Sequence, residues 1–240
     1  MMSSTIYPDF SSLLSTLDAK LLLQRLNELD SKKVFSTSKN FAELSTQYPF
    51  VKDYLTYVTL TEQPLAKDNE QANTDWLIQL FNALFINQQV ILFRGTSEPE
   101  YFPAQNNQPA RIEFAHGFFA SALHEISHFC VAGKQRRQLS DFGYWYAADG
   151  RSATQQQAFE RVEIKPQALE CLFTLACRRP FQVSQDNLFA DFDTSGSTFP
   201  QDVYQQVKTY IAKPHTLPAD AKTLLQALLT ICNSNQLNNI

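Results

Sequence analysis

The sequence predicts an α+β fold that is predominantly helical and contains a small β-sheet. Helices are indicated where apolar residues recur every three or four positions, as they do in residues 13–26, 75–85 and 118–132. Two short runs, residues 89–93 and 111–114, have the length and the residue types of strands. Because helical segments greatly outnumber these two strands, we expect the helices to dominate the fold.

Further helices are expected at residues 40–47, 50–60, 154–164, 166–177, 202–212 and 219–232. Pro166 is expected to open a new helix, because proline fits the first turn of a helix. Gly133 is expected to end the helix of residues 118–132, with basic residues following it. Residues 141–151 are predicted to form an aromatic loop or a short strand.

A polar stretch at residues 61–74 divides the chain. It contains Pro64 and few residues that could be buried. We therefore expect an N-terminal helical extension of unknown role in residues 1–74 and a second domain in residues 75–240. Thr74 is expected to cap the first helix of the second domain.

Charge and composition favour some classes of partner over others. The 240 residues carry a formal net charge of -4, which disfavours nucleic acid as a partner. No apolar run of about 18 residues is present, which disfavours a membrane. The four cysteines form no C-x-x-C pair and the N-terminus has no signal-peptide pattern, so we expect a reduced, cytoplasmic setting.

The segment His124-Glu125-Ile126-Ser127-His128 is the strongest chemical motif of the sequence. Two histidines four positions apart on a helix project within about 40° of each other, so both imidazoles can reach one ion. Glu125 is turned by about 100° and lies beside that ion. The alternative is a set of core side chains satisfied by neighbours. A metal is favoured because three polar groups on an apolar helix need compensation. Residues 75–240 are therefore expected to be a metal-binding catalytic domain.

A third ligand must come from another segment and is usually a carboxylate. Glu163 is distinctive because two β-branched apolar residues flank it, so it is expected to be partly buried and to need a partner. Glu160 and Glu170 are more typical of solvated helix positions with salt bridges to neighbouring basic residues. The residues alone leave four candidates open: Asp141, Glu160, Glu163 and Glu170.

Three longer segments carry a resemblance to a known family. They are FAHGFFASALHEISHFCVAGKQRRQLSDFGYWYAADGR, FERVEIKPQALECLF and PFQVSQDNL. Together they resemble the elongation factor P hydroxylase family from about residue 76 to residue 188. The resemblance implies a zincin-like core with His124, His128 and Glu163 as metal ligands. It also implies hydroxylation of the β-lysylated lysine of elongation factor P, the last step of that modification.

Hydroxylation of an unactivated carbon requires a redox-active metal, so Fe(II) is the expected ion and O2 the expected cosubstrate. Zinc or another divalent ion fits the same ligands but would support peptidase chemistry, with Glu125 as the general base. In a hydroxylase Glu125 is expected to orient water, substrate or a ligand. His116 either acts in the same pocket or is structural. Three classes remain open: a monooxygenase-like iron enzyme, a zinc peptidase and a metal-stabilised binding module.

The implied partner is the β-lysylated form of elongation factor P, whose modified lysine carries ammonium groups on a long stem. Such a substrate favours an aromatic groove with acids near its entrance. The expected lining residues are Asp141, Tyr144, Trp145, Tyr146 and Asp149. The alternative for them is a packed aromatic strand. A basic set is expected either to dock an acidic partner or to be a solvated helix end: Lys134, Arg136, Arg137 and Arg151.

Overall fold

The computed structural model describes residues 7–29, 69–144, 149–187, 189–194 and 196–233. These ranges contain six α-helices and one three-stranded sheet, which confirms the predominantly helical α+β class. The predicted helices at residues 40–47 and 50–60 lie outside the described residues. None of the described helices combines the length and the apolar character needed to cross a bilayer.

The helices are α1 (Thr16–Leu29), α2 (Glu70–Leu84), α3 (Phe119–Arg136), α4 (Ala153–Ala176), α5 (Phe199–Ala212) and α6 (Ala219–Cys232). The strands are β1 (Val90–Arg94), β2 (Glu100–Phe102) and β3 (Ala110–Phe114). The helix α3 carries the histidine motif and packs mainly against α4. The four cysteines are buried and free, as expected for a chain without disulfide bonds.

The sheet has the strand order β1-β3-β2, with β3 parallel to β1 and antiparallel to β2. Alternate residues of β1 and β3 are buried, and α2 and α3 contact these two strands. The side chain of Asn82 on α2 accepts a hydrogen bond from the Leu92 N–H at 2.7 Å and donates one to the Leu92 carbonyl at 3.3 Å. This pair of bonds fixes α2 to the edge of the sheet.

Aromatic rings fill the junction between the sheet and α3. Phe81 and Phe85 lie with their ring centroids 5.8 and 6.3 Å from that of Phe129 on α3. Tyr101 of β2 stacks on Phe142 at 4.1 Å. Burying an aromatic side chain of this size contributes about 1.5–3 kcal/mol. These aromatic contacts therefore help to hold α3 in place.

The described N-terminal residues share this core, because Leu22 and Leu26 of α1 are buried and α1 packs against α6. The division of the chain at residue 74 stays a prediction. The predicted start of the next helix is wrong: α2 begins at Glu70, and the Asn69 side chain caps it by accepting the Ala72 N–H at 3.1 Å. Thr74 is buried inside the helix, where its hydroxyl donates to the Glu70 carbonyl.

Charged networks hold α3 at both ends. At its start, the Phe119 N–H donates to Glu70 Oε1 at 2.8 Å, and Glu70 also pairs with Arg179. At its end, Arg137 donates to the Phe129 carbonyl at 2.7 Å and to the Asp220 carboxylate at 2.6 Å. The helix that carries the motif is thus fixed to α2 and to α6.

The helix α4 runs without interruption through Pro166, so the predicted break at this residue is wrong. Proline removes the hydrogen bond to the carbonyl of the residue four positions earlier, which is Val162. Val162 is exposed, so water can satisfy that carbonyl, and Pro166 itself is buried. The residues before and after Pro166 therefore belong to a single helix, and their side chains can share one face of it.

Gly133 is the position at which the backbone of α3 leaves helical geometry, with φ 69° and ψ 174°. Only glycine adopts this region without strain. We expect Gly133→Ala to lower the free energy of unfolding by about 1–3 kcal/mol, measured by urea denaturation. Crowding does not contribute, because nothing lies within 4 Å of the added Cβ.

Gly196 provides a matched control, since it also has open space around an added Cβ but no left-handed φ. We expect Gly196→Ala to change the free energy of unfolding by less than about 0.5 kcal/mol. An equal loss of stability in both variants would contradict a special backbone requirement at Gly133.

Candidate metal centre

His124 and His128 of α3 face Glu163 of α4. The two Nε2 atoms lie 3.1 Å apart, and His128 Nε2 lies 3.2 Å from Glu163 Oε1. His124 Nε2 lies 3.7 Å from Glu163 Oε2. One potential ligand atom from each residue lies within 4.8 Å of the others, which makes the three side chains a group that could hold a metal ion.

The separations suit ligands around one ion. Two nitrogens bound at about 2.1 Å and at right angles to each other would be about 3 Å apart, close to the observed separation of the Nε2 atoms. Glu163 Oε2 is buried and has no hydrogen-bond partner among the described residues. A buried carboxylate oxygen without a donor is unfavourable, and a cation would satisfy it directly. The residues present therefore fit a metal cofactor.

Glu170, which was predicted to be a solvated helix position, lies beside His124. Its side chain is only 13 % exposed, and its Oε2 lies 2.8 Å from His124 Nδ1. A carboxylate oxygen can only accept this hydrogen bond, so Nδ1 carries the proton and Nε2 is directed at Glu163. Residues seven positions apart lie on the same face of an α-helix, so Glu170 shares the face of Glu163. A prediction of one continuous helix would therefore have placed Glu170 beside the site.

The charges of the site raise the pKa values of the two histidines and lower the pKa of Glu163. Burial by itself would lower the pKa of His124, but the hydrogen bond and charge of Glu170, together with Glu163, raise it to about 10. Burial likewise opposes the rise in the pKa of His128, which the Glu163 carboxylate causes. Burial would raise the pKa of Glu163, but His128 and His124 lower it to about 2. Without metal, the cluster is therefore held by charge pairing.

Glu125 lies next to the cluster without joining it. It is partly buried and forms no hydrogen bond with another described residue. Burial raises the pKa of its carboxyl, and the two imidazoles oppose that shift. The expectation that Glu125 lies beside a bound ion stays a prediction.

Glu160, another carboxylate candidate, has a different task. Its Oε1 accepts hydrogen bonds from Gln156 at 3.2 Å and from Gln185 at 3.3 Å, and its Oε2 accepts one from Ser197 at 2.7 Å. It is partly buried and holds the chain that follows α4. The interpretation of Glu160 as a solvated position is wrong, because these neighbours use both carboxylate oxygens.

Asp141 and Asp149, two residues of the predicted substrate entrance, have backbone partners. Asp141 Oδ1 accepts the Tyr101 N–H at 3.0 Å. Asp149 Oδ1 accepts the Gly150 N–H at 2.7 Å and the Phe189 N–H at 3.2 Å. Each carboxylate therefore shapes its loop.

The remaining entrance residues and His116 are placed as follows. Tyr144 is partly buried, with the guanidinium of Arg136 4.3 Å from its ring centroid. Trp145 and Tyr146 lie outside the described residues. His116 is exposed, and its ring centroid lies 6.3 Å from that of Phe118.

The predicted basic docking set is not one surface. Arg151 is buried and donates from Nε to Gln156 at 3.0 Å. Arg137 is engaged with Asp220 and Phe129 inside the fold. Neither alternative, docking to an acidic partner or a solvated helix end, holds for these two guanidinium groups, because the protein itself uses them.

We expect Glu170→Ala to weaken metal binding about 10- to 100-fold, since it removes the acceptor that orients His124. The affinity for cobalt(II) can be measured by competition with a chelator. Glu170→Gln keeps a neutral acceptor and should bind the metal more tightly than Glu170→Ala. Glu98→Ala, at an exposed carboxylate of the loop between β1 and β2, serves as the matched control. Unchanged cobalt affinity in Glu170→Ala would contradict this assignment.

Comparison with known proteins gives an independent result. The family model described as elongation factor P hydroxylase matches residues 80–239, which include all of α3 and α4. A Haemophilus influenzae protein described as elongation factor P lysine hydroxylase is 48 % identical over 157 residues, covering 64 % of this chain and 85 % of that protein. This chain belongs to the elongation factor P hydroxylase family.

Proposed function

We propose that this chain hydroxylates a lysine of elongation factor P and uses an iron(II) ion held by His124, His128 and Glu163. Family membership supports the reaction class, and the Haemophilus influenzae relative is described by its action on lysine. The convergence of these three side chains inside the matched region is the main structural support.

Two histidines and one carboxylate are the ligand set typical of iron(II) oxygenases that contain no haem. When bound, iron(II) supplies the redox chemistry that the activation of O2 requires. Zinc keeps one oxidation state, so a zinc-loaded protein would lack hydroxylase activity. The proposed enzyme is therefore an iron-dependent, monooxygenase-like oxidoreductase.

The side chains around the ligands have separable tasks. Glu170 fixes the ring of His124 through Nδ1, so that Nε2 is directed at the site. Glu125 has a carboxylate beside the ligands and is proposed to orient water or the lysine. His124 is 29 % exposed whereas Glu163 is 5 % exposed, so the site is reached from the side of His124.

We further propose that the substrate is the β-lysylated form of the lysine. A site that lies below the surface favours a long stem, and ammonium groups suit a site that is rich in carboxylates. Asp141, Tyr144, Tyr146 and Asp149 are proposed to shape the entrance for this stem. His116 is proposed to act at its outer edge, in keeping with its exposed ring.

A zinc peptidase is the second candidate, and the position of Glu125 beside the two histidines favours it. In that enzyme Glu125 would take a proton from water. The motif alone does not distinguish a peptidase from a hydroxylase, so an experiment must identify the reaction product.

Because elongation factor P acts in translation, we propose a cytoplasmic location.

The test is mass spectrometry of lysylated elongation factor P after incubation in air with the iron(II)-loaded protein and a chemical reductant such as ascorbate. The reductant supplies the two electrons with which the second oxygen atom of O2 leaves as water. We expect a gain of one oxygen atom with the unaltered protein and none with His128→Ala, which removes a ligand. His215→Ala, at an exposed histidine, should retain the activity. Zinc-loaded protein should be inactive. Cleavage of the substrate in place of oxygen gain would favour the peptidase.

A further inference from the structure

A short segment after α4, residues 183–187, crosses the face of that helix that carries Glu163. Ser184 exchanges two hydrogen bonds with the Gln167 side chain, at 3.1 and 2.7 Å. The Gln185 carbonyl accepts from Gln156 Nε2 at 2.9 Å. Gln156 and Gln167 lie on the same face as Glu163, one on either side of it. The segment, called the rim segment below, therefore passes beside the candidate metal centre.

Arg151 fixes the far end of the rim segment from inside the protein. Its guanidinium donates to the carbonyls of Gln185 and Asp186 and lies 3.9 Å from the ring centroid of Phe159. Asn187 holds the same turn, because its Oδ1 accepts the Arg151 N–H at 3.1 Å. The backbone at Asp186 is thus held by buried groups.

Asp186 presents its carboxylate outward from this fixed backbone. Its φ is 48°, a left-handed conformation that aspartate adopts more readily than most residues. The side chain is 63 % exposed, and its Oδ2 forms an ion pair with Arg151 Nη2 at 3.7 Å, a distance too long for a hydrogen bond. The backbone of Asp186 is therefore fixed in position, and its carboxylate is accessible.

The electrostatics also relate Asp186 to the metal centre. Burial raises the pKa of the Asp186 carboxyl, with Arg151 and His124 opposing the rise and Asp149 and Glu163 adding to it. The coupling to His124 and Glu163 agrees with the path of the rim segment beside the site. A cation bound at Asp186 would relieve the repulsion from the other carboxylates.

We propose that Asp186 is a positioning residue that binds a substrate ammonium group at the rim of the metal centre. The inference rests on the proposed function, since a lysine side chain brings the ammonium group. Asp186 differs from Asp141 and Asp149, whose Oδ1 atoms already accept backbone N–H groups. A carboxylate held on a fixed backbone loses little freedom when it pairs with a flexible lysine.

The test is an anaerobic calorimetric titration, in which lysylated elongation factor P is added to the iron(II)-loaded protein and the binding affinity is measured. Without O2 the substrate binds but is not turned over. Asp186→Asn should weaken binding about 10- to 100-fold, the loss of one charge-assisted hydrogen bond. Asp186→Glu should restore part of the affinity. Asp191→Asn, the same change at another exposed carboxylate beyond the rim segment, should bind as the unaltered protein does.

Exposing the same samples to air in the presence of a chemical reductant, which supplies two electrons for each oxygen atom inserted, separates this inference from the proposed function. We expect Asp186→Asn to raise KM while kcat, iron content and Tm stay unchanged. Equal affinity in Asp186→Asn and the unaltered protein, equal weakening in Asp191→Asn, or loss of iron from Asp186→Asn would overturn the inference. If the unaltered protein adds no oxygen but its binding depends on Asp186, the proposed reaction fails and the ammonium site stands.

Discussion

The contact between Glu163 and the two imidazoles is the constraint on which the site depends. A carboxylate that is 5 % exposed is unfavourable inside a protein unless a cation or hydrogen-bond donors compensate it. His124 and His128 are the cationic partners that α3 offers, and a metal ion would serve the same purpose. Because these groups sit on different helices, their pairing also fixes how α3 and α4 pack.

The rest of the fold keeps α3 in the position that this pairing requires. Glu70 and Arg137 fix the two ends of α3, and the aromatic rings around Phe129 anchor its inner face. On α4, the same face that carries Glu163 and Glu170 also binds the rim segment. One uninterrupted helix therefore positions the proposed metal ligand Glu163 and the carboxylate of Glu170, which orients His124. The same helix also holds the rim segment beside the site.

The motif on α3 was predictable from the sequence because its spacing is local to one helix. Glu163 was singled out for its apolar neighbours, although Val162 is exposed and the helical face decides the burial. Glu170 was among the carboxylate candidates but was interpreted as solvated, and its place beside His124 was not foreseen because Pro166 was expected to begin a new helix. Asp186 lacks any local pattern, since tertiary contacts alone bring the rim segment to the site. The zincin-like character of the core stays a prediction.

The most direct test of the central claim is a crystal structure of the iron(II)-loaded protein with anomalous diffraction recorded at the iron edge. The account predicts one iron peak within about 2.0–2.2 Å of both Nε2 atoms and of a Glu163 oxygen. Iron bound elsewhere, or held without Glu163, would contradict it.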